Sequence, residues 1–301
     1  MIATGYTLNQ AARSLRQKTA KTILVGLPDI RNPFFSTVLD SIEREATNRG
    51  YSVLVANLHL GSDPAGRLQG YLLSNRADGL LLLDGSLDAD QLRRITSVPY
   101  AVPLVMACED IPDSGFHAVV TDNVAAAARA TQHLIDLGHT RIGHILGPQD
   151  NMIARDRLAG FQQALAAAGL SAPREYLFPG NFGIESGYAA VARFRTLVER
   201  PTAIFAANDE SAIGFLSGMR RYGLRCPEDL SVVGFDDLAV AAHYMPPLTT
   251  IHQPRAALGQ LAAAALIDML EDGATSRPAL RIVLNSALVI RQSTGAPPQQ
   301  G

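Results

Sequence analysis

The chain has 301 residues, 47% of them hydrophobic, and a formal net charge of −2. That is enough apolar material to bury full cores in roughly two ordinary domains. The longest apolar runs, such as Gly79-Leu-Leu-Leu-Leu83, are far too short to span a bilayer, and no basic-then-apolar segment with a small-residue cleavage site follows Met1. Membrane insertion and secretion are therefore not expected, and the protein reads as cytoplasmic. The two cysteines, Cys108 and Cys226, lie far apart without metal-ligand spacing, which fits a reducing compartment.

The first candidate element is a short helix, Asn9-Gln-Ala-Ala-Arg-Ser-Leu15. Between Met1 and Lys21 there are four basic side chains, Arg13, Arg16, Lys18 and Lys21, and no acid. The only two lysines of the protein are among them. A basic segment joined to a near-neutral body points to one part facing a polyanion and another facing a small ligand. The alternative is a solvated terminal tail. Two helical turns do not hold in water alone, so this helix would be disordered in the free chain.

From Thr22 onward, short apolar runs alternate with helix-period stretches. Residues 23–27, 52–56, 79–83, 103–106 and 118–120 read as buried strands bounded by Gly, Pro or Asp. Residues 34–49 place Phe34, Phe35, Val38, Leu39, Ile42 and Ala46 on one helical face, and Gly50 stops the helix. The second half repeats the pattern. Residues 123–137, 153–168 and 209–222 read as helices; 141–146, 202–206 and 230–235 read as strands. A long helix over 255–271 carries Leu258, Leu261, Ala262, Ala265, Leu266 and Met269 as its apolar stripe. Strands near 280–284 and 287–290 follow, and the Pro/Gln/Gly tail at 296–301 should be disordered.

This alternation predicts an α/β protein with helices on both faces of parallel sheets. About ten strands divide better into two doubly wound sheets than into one, with a closed eight-fold barrel as the competitor. In such sheets a ligand binds beyond the carboxyl ends of the strands. Asn32, Phe34 and Phe35 follow the first strand, Asp84 the third, Asn208 and Asp209 the strand at 202–206, and Asp236 and Asp237 the strand at 230–235. Asn supplies a donor and an acceptor, Asp two acceptors, and Arg157 a donor fork. That combination suits vicinal hydroxyls, with Phe34 and Phe182 as apolar platforms. Each residue also has a structural reading. Asp209 or Asp236 could cap a helix, Arg157 could pair with Asp150 or Asp156, and Phe34 could be core.

Nine strings in this order resemble the LacI/GalR bacterial transcription regulators over nearly the whole chain. They are Ala12-Arg-Ser-Leu15, Pro28-Asp-Ile-Arg-Asn-Pro-Phe-Phe35, Gly50-Tyr51, Ala77-Asp-Gly79, His133-Leu-Ile-Asp-Leu-Gly-His139, Arg157-Leu-Ala-Gly-Phe161, Ala207-Asn-Asp209, Val233-Gly-Phe-Asp236 and Leu248-Thr-Thr-Ile-His-Gln-Pro254. The resemblance implies a periplasmic-binding-protein-like core: two subdomains, three crossover strands near Asp122, His252 and Val283, and an effector in the cleft between them. It implies subdomains of 22–121 plus 253–282 and of 122–252 plus 283–295, with 1–21 as a remnant hinge helix and linker. Position by position, Arg157, Phe182, Asn208 and Asp236 match effector-contacting sites, with Asp122, Asn123 and Gln253 as additions at the crossings. In the hinge helix, Asn9, Ala12, Arg13 and Leu15 would meet operator DNA, Leu15 as a minor-groove wedge. Members normally begin with a helix-turn-helix head upstream of this helix. The present sequence has none, which predicts weak, salt-sensitive DNA binding by this chain alone.

The expected function is therefore a homodimeric regulator, acting as a repressor, that senses a sugar or sugar derivative. A transport-type sugar receptor is the alternative. No cofactor is expected. His139, His144 and His252 have no companion at metal-ligand spacing, so no metal is expected either. No nucleophile elbow, phosphate loop, dinucleotide fingerprint or zinc motif supports an enzyme.

Overall fold

A computed structural model describes residues 19–60, 62–97, 101–111, 114–272 and 278–298. The expected hinge helix, with Asn9, Ala12, Arg13 and Leu15, lies outside the described residues, as do residues 299–301 of the expected disordered tail. Residues 296–298 of that tail belong to the described structure.

In chain order the first elements are β1 (Thr22–Leu27), α1 (Phe34–Asn48), β2 (Ser52–Asn57) and α2 (Pro64–Leu73). They are followed by β3 (Gly79–Leu82), α3 (Ala89–Thr96), β4 (Leu104–Cys108) and β5 (His117–Thr121). Next come α4 (Asn123–Asp136), β6 (Ile142–Ile145), α5 (Met152–Ala167), β7 (Leu177–Phe178), α6 (Ile184–Thr196) and β8 (Ala203–Ala206). The chain continues with α7 (Asp209–Arg221), β9 (Ser231–Asp236), α8 (Ala239–His243) and β10 (Thr249–His252). It closes on α9 (Arg255–Asp272), β11 (Arg281–Leu284) and β12 (Ala287–Val289). No helix among the described residues is long and apolar enough to cross a membrane.

These elements form two compact units. One takes the described residues through Val120 together with Arg255–Ile282; the other takes Thr121–Pro254 and the described residues from Val283. The chain therefore passes between units at three places. The first unit holds a six-stranded sheet in the order β11-β5-β4-β3-β1-β2, the second one in the order β12-β10-β9-β8-β6-β7. Two open sheets exclude the closed barrel. The pairings β1–β2, β1–β3, β3–β4 and β4–β5 are parallel, as are β6–β7, β6–β8, β8–β9 and β9–β10, while β12 runs antiparallel to β10.

In the first unit, Leu24, Leu80, Leu82, Met106 and Val120 of the sheet pack with Leu68 and Leu72 of α2 and Leu92 and Ile95 of α3. The long helix α9 packs against α1 as well as the sheet. Covered on two sides, it buries Ala263 and Ile267 beside Leu258, Ala262 and Leu266, while Leu261 of the expected stripe is exposed. In the second unit the strand residues alternate between two cores. Ile204 and Val232 join Val191, Phe194 and Phe215 of α6 and α7, whereas Phe205, Val233 and Phe235 join Ala126, Ala130 and Phe161 of α4 and α5. Helices α2, α3 and α8 and strand β7 have no counterpart among the elements read from sequence, and neither has helix α6. Its buried face is Gly187, Ala190, Val191 and Phe194, small residues that blur an apolar stripe, and it lies so close to α7 that a Cβ on Gly214 would strike the Ile184 carbonyl.

One polar residue sits inside that second core. His144 of β6 is fully buried and stacked against Phe161 and Phe205, with ring centroids at 5.1 and 4.7 Å. Its Nδ1 bonds the Phe205 carbonyl oxygen at 2.9 Å. Burial, with the Arg157 charge adding to it, pushes its pKa down to about 4. Between the ordinary histidine value, about 6.5, and about 4, the unfolded chain binds a proton that the native chain refuses. Stability from the neutral ring is thus complete above that window and lost as pH falls through it. Urea midpoints should fall by the equivalent of about 3 kcal/mol across it, and His144→Leu should flatten the slope. An unchanged slope in the variant would show the histidine to be uninvolved.

Candidate functional site

The carboxyl end of the second sheet gathers buried polar side chains around Arg157. Helix α5 starts at Asn151, whose Oδ1 accepts from the Ala154 N–H at 3.0 Å, and Arg157 lies on its buried face one turn before Phe161. The Arg157 side chain is 3% exposed. Its Nε donates to Asn123 Oδ1 at 3.0 Å, its Nη1 to the Ala207 carbonyl at 2.5 Å, and its Nη2 stands 3.8 Å from Asp236 Oδ1. The guanidinium carbon lies 3.7 Å from the centre of the Phe235 ring and 5.7 Å from that of Phe182.

Asp236 ends β9 with φ +115. Its Oδ1 accepts from Gln253 Nε2 at 2.7 Å, and Gln253 Oε1 accepts from Thr121 Oγ1 at 2.9 Å. Asn123 Nδ2 then donates to the Thr121 carbonyl at 3.3 Å. Thr121, Gln253, Asp236, Arg157 and Asn123 so form a closed polar ring within one unit. A buried guanidinium needs this arrangement, since an unpaired charge there would be prohibitive. Chemically the ring offers a cationic donor fork beside an anionic acceptor, with an aromatic face underneath.

The sequence-predicted residues meet different fates. Arg157, Asp236 and Gln253 come together. Arg157 pairs with Asp236, although Asp150 and Asp156 are nearer in sequence. Phe182 adopts φ +67, and its carbonyl accepts from Asn208 Nδ2 at 2.8 Å. Asn208 caps α7, its Oδ1 accepting from Ser211 N–H at 3.1 Å and from the Ser211 hydroxyl at 2.6 Å. Asp122 is an exposed cap of α4, and its neighbour Asn123 is the residue that reaches Arg157. Asn32, Phe34 and Phe35 stand at the start of α1 in the first unit. Asn32 Oδ1 accepts from the Phe34 N–H at 2.9 Å, and the two buried rings meet edge to face at 5.2 Å.

Asp209 departs from expectation. It is wholly buried, Oδ2 accepting from the Leu238 N–H at 2.7 Å and Oδ1 from the Thr250 hydroxyl at 2.6 Å. A side chain on Gly234 would collide with it. Burial, reinforced by the Asp236 charge, raises its pKa well above the usual carboxylate range. Its carboxyl ties α7, β10 and the turn after β9 together and is withdrawn from any ligand, so it is removed from the candidate contacts.

Sequence reasoning missed Phe235, which reads there as an ordinary strand residue, and the Ala207 carbonyl, which no side-chain pattern reveals. It also missed a second cluster. Asp237, with φ +55, turns away from Asp236 and accepts from Arg291 Nη2 at 2.6 Å while pairing with His252 Nδ1 at 2.9 Å. Burial alone would raise the Asp237 pKa, but these two bonds outweigh it and hold the group below the usual range. In the first unit, Glu109, buried after β4, accepts from the Gly85 N–H at 3.1 Å, beside Asp84 at the end of β3.

Residues 131–294 match the periplasmic binding protein-like domain family. The HTH-type transcriptional repressor CytR of Escherichia coli is 36% identical over 298 residues, covering 98% of this chain and 85% of that protein. The ribose operon repressor of Escherichia coli is 37% identical over 264 residues, 87% of this chain and 79% of that one. A LacI family transcriptional regulator from Enterococcus faecium, solved with bound ribose, aligns with a TM-score of 0.82 at 28% identity, covering 92% of this chain and all of that one. Two doubly wound units with polar groups at the strand ends define a periplasmic-binding-protein-like protein. More narrowly, the chain belongs to the LacI family of transcriptional regulators, whose members are regulators rather than enzymes.

The buried Asp209 proton carries a testable pH dependence. With its pKa raised by folding, the stability linked to that proton is complete below the ordinary aspartate value and is lost as pH rises through the raised value. Asp209→Asn keeps the shape without the titration. It should gain on the wild type as pH rises from about 4 toward about 8, while Asp209→Ala should lose about 2–3 kcal/mol. Urea denaturation at both pH values tests this, and an Asn variant that falls further behind at high pH would contradict it.

Proposed function

We propose that this chain is a LacI-type repressor whose Arg157 ring binds a small polyhydroxylated effector, a sugar or sugar derivative. The observation that carries the proposal is the 3.8 Å separation of Arg157 Nη2 and Asp236 Oδ1 inside a polar ring at the carboxyl ends of the strands. A hydroxyl seated against both groups can accept from the guanidinium and donate to the carboxylate. Asn208 keeps one amide hydrogen beyond its bond to Phe182, and the Phe182 ring supplies an apolar surface for a sugar face. Asp122 and Gln253, and in the first unit Asn32, Phe34 and Phe35, are proposed as further contacts. The ribose in the Enterococcus relative and the ribose operon repressor's name make a pentose the first candidate. Effector binding would control operator contact by Asn9, Ala12, Arg13 and Leu15 in a homodimer. The repressor relatives do not favour a transport-type receptor.

A thermal-shift series over D-ribose, other sugars, polyols and nucleosides should find one stabiliser. At about a hundredfold excess over Kd, the native state gains about 2.7 kcal/mol. Asp236→Asn and Arg157→Met should abolish the shift, and Phe34→Ala should weaken it. Equal responses in the first two variants and the wild type would reject the site. Sedimentation at micromolar protein should show a dimer, and a monomer there would count against paired operator contact.

A further inference from the structure

The end of the second unit opposite the Arg157 ring carries the starts of β6, β7 and β8 and the last turns of α6 and α7. Arginines gather there: Arg193 and Arg195 end α6, and Arg220 and Arg221 end α7. The negative ends of helix dipoles favour cations, which explains why arginine is welcome in these turns. It does not explain how the arginines are held. The Arg195 guanidinium lies over the exposed Tyr222 ring, 3.8 Å from its centre, with no hydrogen bond or ion pair among the described residues. Arg200 donates to the Arg195 carbonyl at 3.1 Å and lies 5.8 Å from the centre of Phe194. Arg193 donates to the Arg174 carbonyl at 3.5 Å. Arg225 pairs with Asp229 at 3.5 Å.

Stacking covers the face of a guanidinium and leaves its edge donors aimed outward, ready for a two-point bond to a planar carboxylate. Val198 stands wholly in solvent three residues beyond Arg195. Arginine and tyrosine are side chains that protein interfaces favour. The same surface carries its own carboxylates, with Glu175 next to Arg174 and Glu199 next to Arg200, all exposed. The arginines of this end outnumber these two acids, so the surface keeps a net positive charge that suits an acidic partner segment, and Tyr222 and Val198 suit its apolar residues.

We propose that this end of the second unit docks an acidic segment of a partner protein, its carboxylates on the Arg195 and Arg200 edges and an apolar side chain against Tyr222 or Val198. The test uses the full chain and a fluorescein-labelled peptide of glutamates with leucines, read by anisotropy at low salt. Saturable binding is expected, weakened at least about tenfold by Arg195→Glu with Arg200→Glu and by Tyr222→Ala, and absent for the peptide with glutamine in place of glutamate. Arg195→Lys, which keeps the charge but not the stacked fork, should fall between, and circular dichroism melting confirms that each variant is folded. No saturable binding, or equal binding by folded variants, would overturn the proposal. So would random-sequence duplex DNA that binds more tightly than the peptide and is lost in the same variants.

Discussion

The constraint on which the second unit's polar end depends is the burial of one guanidinium. A cation at 3% exposure cannot persist unless its donors and its charge are met, and breaking such a buried pair costs about 3–5 kcal/mol. Arg157 recruits a partner from almost every neighbouring element: the Asn123 amide from α4, the carbonyl after β8, the carboxylate ending β9 and the ring of Phe235. Gln253, just past β10, closes the ring through Asp236 and Thr121. Each partner is thereby fixed in direction as well as in place, which is what recognition of a small hydroxylated molecule requires. The same bonds that make the charge tolerable make the site rigid.

The charge also separates two carboxyl groups that the sequence makes look alike. Asp236 faces Arg157, whereas Asp209 accepts from an N–H and a hydroxyl. With the Asp236 charge beside it, Asp209 keeps its proton to higher pH. One carboxyl joins the polar ring around Arg157 and the other is a structural tie. Asp237 follows a third course, because two positive-φ residues in succession turn it outward to Arg291 and His252.

Much of this was legible in the sequence, and the boundary is physical. Strand and helix alternation, the split into two sheets and the strand ends that carry polar residues all follow from periodicity and punctuation. The LacI-type strings singled out Arg157, Asn208 and Asp236, which lie at the carboxyl end of the second sheet. Side-chain commitments were not legible, because they depend on neighbours distant in sequence. Asn208 and Asp209 sit side by side, yet a helix cap turns one to the Phe182 loop and the other into the core, where Gly234 leaves room for it. Asp122 and Asn123, both expected at the crossing, part for the same reason, as the first helical turn leaves Asp122 an exposed cap and takes Asn123 to Arg157. Helix α6 escaped because packing at the Gly214 crossing uses small residues, and these leave no apolar stripe to read.

The polarity of the second unit follows from its topology. In a parallel sheet with returning helices, every helix begins at the carboxyl ends of the strands and finishes at their amino ends. The caps Asp122, Asn151 and Asn208 therefore converge on the Arg157 end, since helix starts need short acceptors for their orphan N–H groups. Those are the residue types that also recognise hydroxyls, so one structural demand supplies the chemistry of the other. At the opposite end the last turns of α6 and α7 favour arginine, and the ring of Tyr222 stacks on one of these, Arg195. A cap-rich polar end and an arginine-rich end are thus two consequences of one winding pattern. A unit of this kind has the means to receive a small molecule at one end and a protein at the other.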